Sequence, residues 1–154
     1  MTKIILTIAT LTSLFLSTCQ SNSISKINEN KLSDIKFTVL KNYYVKNTFT
    51  KLDNPKIETA EKFNEVFGMA TTMGKNGKPT AIDFSKQYII AIIIPATEFS
   101  TSIDTISLQI NNQNQINLNY KVTIGQKQSF SIRPFLAIAV DKQESGIITV
   151  EEIK

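Results

Sequence analysis

Residues 105–123 alternate apolar and polar side chains on both sides of a polar stretch, and that pattern commits this part of the chain to a sheet. Ile106, Leu108 and Ile110 fall between Thr105, Ser107 and Gln109, while Ile116, Leu118, Tyr120 and Val122 fall between Asn117, Asn119, Lys121 and Thr123. A period of two gives one dry face and one wet face. Asn111-Asn112-Gln113-Asn114-Gln115 has no apolar residue, so the expected unit is a β-hairpin. Gly125-Gln126-Lys127 reads as the next turn, leading into a strand over 130–140 that Pro134 interrupts. Residues 141–146 read as a last turn before a strand over 147–153.

Residues 88–94, Tyr-Ile-Ile-Ala-Ile-Ile-Ile, form an unbroken apolar run stopped by Pro95. The run is too short to cross a bilayer and rich in β-branched residues, as expected of a central strand buried on both faces. Upstream, Phe37, Val39, Tyr43 and Val45 alternate around a break near Leu40, which predicts one bulged strand or two short ones. Asp53-Asn54-Pro55 marks a turn. Residues 59–67 predict the one helix. Thr59 caps it, Glu61 suits its first turn, and Ala60, Phe63, Val66 and Phe67 make an apolar stripe. Gly68 is the expected left-handed exit. So short a helix needs a sheet under Phe63 and Phe67.

These elements predict a mainly β chain: an antiparallel β-sandwich or open barrel of about six to seven strands, closed on one side by the helix. The expected organisation is a leader at 1–18, a tether at 19–33 and a single domain at 34–154. A chain of roughly 120 ordered residues buries a core without disulfides.

Composition narrows the chemistry. There is no His, and the single Cys is Cys19, so Ser-His-Asp and Cys-His nucleophiles and His/Cys zinc sites are excluded. The thirteen Asp and Glu are scattered, and no phosphate-binding glycine loop or EF-hand loop is present. The expectation is a non-enzyme with no metal and no cofactor. Net charge is +4, but the lysines are dispersed rather than clustered with aromatics, which points away from nucleic acid.

The N-terminus carries the most specific signal. Lys3 precedes an apolar run over 4–16, and Leu16-Ser17-Thr18-Cys19 closes it. This order resembles a bacterial lipoprotein signal with its lipobox, although Thr18 is bulkier than the usual small residue. An ordinary signal peptide with an incidental Cys is the alternative. The polar, Ser/Asn/Lys-rich stretch after Gln20 suits a tether. The resemblance implies cleavage before Cys19, lipid on its sulfur, and a membrane-anchored protein of the cell envelope. With Gln20 rather than Asp after the Cys, it implies the outer membrane, facing the periplasm.

Two places are candidates for partner binding. One is the connection over 69–83, with adaptable Met69 and Met73 near Gly74 and Gly77; the alternative is that both Met pack beneath the loop. The other combines Arg133-Pro134-Phe135 with the 96–102 loop, where Phe99 and Thr101 sit. Pro134 cannot donate to a ladder, and an Arg beside an aromatic is a common interface anchor. The alternative is a guarded edge, with Arg133 solvated and Phe135 in the core. The succession of apolar strand 88–94, Thr/Ser loop 95–102, hairpin 103–122 and Pro-containing strand 130–142 resembles the C-terminal domain of the PrcB protease-complex subunit family. Phe99-Ser100-Thr101-Ser102 replaces that family's Gly-Gly-Tyr-like segment. Arg133-Pro134-Phe135 is also similar to a triplet in a late loop of chagasin-type protease inhibitors, whose Asn-Pro-Thr-Thr-Gly-Tyr loop has no counterpart here. These resemblances imply a protein-binding module with a protease as partner. A structural or assembly lipoprotein that pairs through a sheet edge is the alternative function.

Overall fold

A computed structural model describes residues 31–74 and 76–154. The expected leader, lipobox and most of the tether lie outside the described residues. Ten strands and one helix follow in the order β1 (Ser33–Asp34), β2 (Phe37–Val39), β3 (Tyr43–Val45), β4 (Lys56–Ile57), α1 (Ala60–Val66), β5 (Phe67–Met69), β6 (Gln87–Ile93), β7 (Thr97–Ile110), β8 (Gln115–Ile132), β9 (Phe135–Asp141) and β10 (Ile147–Glu152). They form two four-stranded sheets, β1-β7-β8-β10 and β2-β9-β6-β4, and a small β3-β5 pair. The fold is mainly β and sandwich-like, as the alternation predicts.

The chain builds three layers because β6 and β9 are apolar on both faces. Toward the other large sheet, Tyr88, Ile90, Ile92, Leu136, Ile138 and Val140 pack against Ile103, Leu108, Ile116 and Leu118. On the opposite face, Ile89, Ala91, Ala137 and Ala139 pack beneath Phe63, Val66 and Phe67. Small Ala residues there leave room for the aromatic rings: Phe63 lies 4.9 Å from Phe67 and Phe67 5.1 Å from Phe135. The Thr59 hydroxyl caps α1 by accepting the Lys62 N–H, and the helix covers the sheet through Phe63 and Val66.

One long hairpin forms the centre of both sheets. The ladder runs from Gln87 opposite Asp141 to Ile93 opposite Phe135 and resumes, with three register shifts, from Thr97 opposite Ile132 to Ile110 opposite Ile116. Pro95 and Pro134 mark the bend, where both strands leave one sheet for the other. Pro134 is buried at this crossover.

Four local expectations are corrected. Ile106 is not on the dry face: a register shift between Thr105 and Ser107 makes it the extra residue of a bulge, 56% exposed, and turns Thr105 inward. Gly125-Gln126-Lys127 is not a turn, because β8 runs through it, with register shifts near Phe99 absorbing the mismatch. Gly68 is not a left-handed exit. The helix ends on extended Phe67 (φ −113°, ψ 146°), and a Cβ at Gly68 would lie 2.4 Å from the Tyr44 ring. The small residue there makes room for that ring. Finally, β10 runs parallel to β8, not antiparallel. Its entry depends on Gly146, where a Cβ would come 2.2 Å from the Asn114 carbonyl oxygen.

Candidate functional site

Arg133 follows the last residue of β8, and the crossover aims its guanidinium at the 47–52 loop. One of its terminal nitrogens donates to the Phe49 carbonyl and the other to the Thr50 carbonyl, the latter at 2.7 Å, and the guanidinium lies 6.0 Å from the Phe49 ring centre. It borders a cleft of about 540 Å³ with Asn47, Lys51, Leu52, Pro95 and Ser131. The expected role of Arg133 as a free interface anchor is therefore corrected: two of its nitrogens are engaged in holding its own chain. Phe135 is likewise corrected. Its ring is half-buried against Phe67 in the core beneath the helix, because a residue entering β9 opposite Ile93 faces that layer.

Phe99 and Thr101 lie elsewhere, on the β7–β8 ribbon between the crossover and the first core residue of β7, Ile103. Alternation places Phe99, Thr101 and Ile103 on one face, and their neighbours Ile124 and Val122 stand opposite Thr101 and Ile103. Ile103 is buried against the second sheet and Val122 is half-buried, whereas Ile124 and Phe99 are exposed, as is Phe130 further along β8. The core-facing stripe thus continues past the layer that covers it. Thr101 donates its hydroxyl to the Phe99 carbonyl at 3.0 Å, and the Phe99 N–H donates to the Thr97 hydroxyl oxygen at 3.1 Å. These bonds hold the kinked strand in shape. The Glu98–Lys127 pair, at 3.0 Å and solvent-exposed, edges the patch. Phe99 does not line the Arg133 cleft, so the two residues belong to different surfaces.

Met69 ends β5 opposite Tyr43, and Met73 is wholly exposed on the loop beyond it. Met69 borders an apolar groove of about 560 Å³ between α1 and the 78–84 segment, lined by Tyr43, Phe63, Pro79, Ile82 and Phe84. Asn42 fixes that segment: its side-chain amide donates to the carbonyls of Asn76 and Lys78. Tyr43 closes the groove floor by donating to the Thr80 carbonyl at 2.8 Å, and burial pushes its phenol pKa up.

Ile124 and Phe130 were not singled out by sequence pattern, because a turn at Gly125 would have separated them from Phe99. The unbroken polar-apolar alternation of 118–124 was the available signal. Among the described residues, no group of three or more Asp or Glu gathers as for a metal, and no helix is long and apolar enough to cross a membrane. No family model, curated protein or solved structure matches the chain significantly.

Proposed function

We propose that this chain is a membrane-anchored envelope lipoprotein whose folded domain binds a protein partner through the exposed ribbon of β7 and β8. The observation that carries this reading is the continuation of the stripe from buried Ile103, past half-buried Val122 and Thr101, to exposed Ile124 and Phe99. A two-stranded ribbon with exposed aromatic and aliphatic side chains beside a charged pair has the composition of a protein interface. In this reading Cys19 is the anchor and the polar stretch between it and β1 is the tether. A protease is the partner class that the PrcB-like and chagasin-like patterns imply. The chain is read as a non-enzyme that needs no metal or cofactor.

Two measurements test the parts separately. A clickable fatty acid is expected to label the wild type and not Cys19→Ala, and equal labelling of both would remove the anchor. A photo-crosslinking residue at Ile124 or Phe130 is expected to trap one discrete partner in the envelope, while the same group at Glu61 on α1 traps none. Crosslinks only from Glu61, or none from the ribbon, would remove the ribbon as the site.

A further inference from the structure

Sheet-edge pairing takes a specific form at β10, independently of the ribbon. The backbone of this strand has an unused side. Ile147 donates its N–H to the Asn114 carbonyl at 3.0 Å and Ile153 donates to the Tyr120 carbonyl at 2.7 Å. The register between them is unbroken, so the alternation of a parallel ladder turns 147, 149, 151 and 153 toward β8. Ile148, Val150 and Glu152 therefore direct their N–H and C=O groups away from the sheet. Among the described residues no strand covers that side, since β10 is the last strand of its sheet.

Such an edge is usually guarded by Lys, Pro or a bulge. Residues 147–152, Ile-Ile-Thr-Val-Glu-Glu, contain no Lys, Pro or bulge, and their only charges are Glu151 and Glu152 at the end of the strand. The other open edge of this sheet, along β7 before its short pairing with β1, is kinked by three register shifts. Of the two, β10 alone keeps an unbroken register.

We infer that β10 pairs antiparallel with β10 of a second copy of this chain, about a two-fold axis at Val150. In that register Val150 faces its own copy, and Ile148 faces Glu152 of the second copy. All the outward N–H and C=O groups of the strand are then bonded. The side chains match as well. Ile147, 71% exposed, meets Ile153 of the second copy, 39% exposed, and Val150, 40% exposed, meets its equivalent. Thr149 meets Glu151. Every large exposed apolar side chain of residues 147–153 acquires an apolar neighbour, and no like charges stand directly opposite. The product is one continuous eight-stranded sheet, β1-β7-β8-β10 followed by its symmetry mate, an isologous contact of the commonest kind.

The test uses the full chain with Cys19→Ser, which removes the only native thiol. Sedimentation across the micromolar to millimolar range is expected to show a reversible dimer. Ile147→Lys with Ile153→Lys places like charges opposite one another twice and is expected to weaken the dimer roughly tenfold or more. Ile147→Lys with Ile153→Glu places opposite charges there and is expected to restore it. Circular dichroism verifies that both variants remain folded. In a hydrogen-bonded antiparallel pair the Cα atoms stand about 5.5 Å apart, within disulfide reach. Val150→Cys is therefore expected to crosslink to its copy under mild oxidation, and Gln126→Cys on the ribbon is not. If the Lys variant fails to fold, the Val150→Cys crosslink decides. A monomer at every concentration, a dimer indifferent to both charge variants, or equal crosslinking from Gln126→Cys and Val150→Cys would overturn the pairing.

Discussion

Ile94 donates its backbone N–H to the Pro134 carbonyl at 3.0 Å, joining the two strands of the long hairpin where both cross between sheets. Neither proline offers an N–H to the ladder, so regular pairing pauses there. Ile94 spans the pause, and Arg133 ties the same bend to the 47–52 loop. The bend is thus fastened to both the opposite strand and a separate loop.

Arg133→Ala is expected to destabilise the fold by about 2–3 kcal/mol, since two carbonyls lose a charged donor. Arg133→Lys is expected to recover only part of this, because an ammonium does not reproduce the planar fork that reaches both oxygens. Urea denaturation midpoints of the variants test both statements, and a midpoint unchanged by Arg133→Ala would return the residue to a surface role.

Leu118 is fully buried between the sheets and Ile106 stands out on a bulge. Leu118→Ala is expected to cost about 2–5 kcal/mol, whereas Ile106→Ala is expected to cost less than about 0.5 kcal/mol. Chemical denaturation of the two variants side by side checks this contrast. Equal losses would mean that the bulge is misplaced.

The shifted register leaves the Thr105 hydroxyl buried with no hydrogen-bond partner among the described residues. Thr105→Val keeps the shape and removes the unpaired oxygen. It is expected to raise stability by up to about 1–2 kcal/mol, read as an increase in the thermal midpoint. A decrease would show that the hydroxyl is bonded.

Tyr88 is 1% exposed, and its hydroxyl also lacks a partner among the described residues. Burial, and then the charges of Glu144 and Glu58, push its pKa up from 10.0 to about 12. The unfolded chain therefore releases this proton first as pH rises. The associated stability is complete below pH 10.0 and is lost between there and about 12. Two pKa units correspond to at most about 3 kcal/mol. Burial also raises Tyr43 and Tyr120, so Tyr88→Phe is expected to flatten the alkaline loss without abolishing it. Stability measured across this range in both proteins is the check, and identical slopes would exclude Tyr88 as a source.

What the sequence revealed follows the range of the forces involved. The 88–94 run announced a strand buried on both faces because each of its side chains needs an apolar contact wherever it points. Thr59 announced its helix because capping is decided within one turn. The Ile106 bulge was hidden by a perfect local alternation, and only the pairing of Thr105 with Tyr120 reveals it. Gly125 carried a turn signal that the strand overrides, since the ladder on either side holds it extended. Parallel pairing of β10 depends on the Gly146–Asn114 approach, between residues far apart in the chain. At the candidate site, Phe99 and Thr101 emerged from residue type, but Arg133 and Phe135 depended on the 47–52 loop and on Phe67, distant contacts with no local signature.

The bent hairpin also has a kinetic consequence. Its turn at 111–115 is held by the Asn111 side-chain carbonyl, which accepts the N–H groups of Gln113 and Gln115, each at 2.9 Å. Pairing that starts there closes a loop only slightly larger at each step, so the entropy of closure accrues gently. The central strands of both sheets can then zip from a single start, while β10 and the short edge strands await a surface to join. The same economy concentrates the risk of error. A slip of one residue at the turn exchanges inner and outer faces along the ladder, and Asn111 is thereby the residue on which the alignment of two sheets depends.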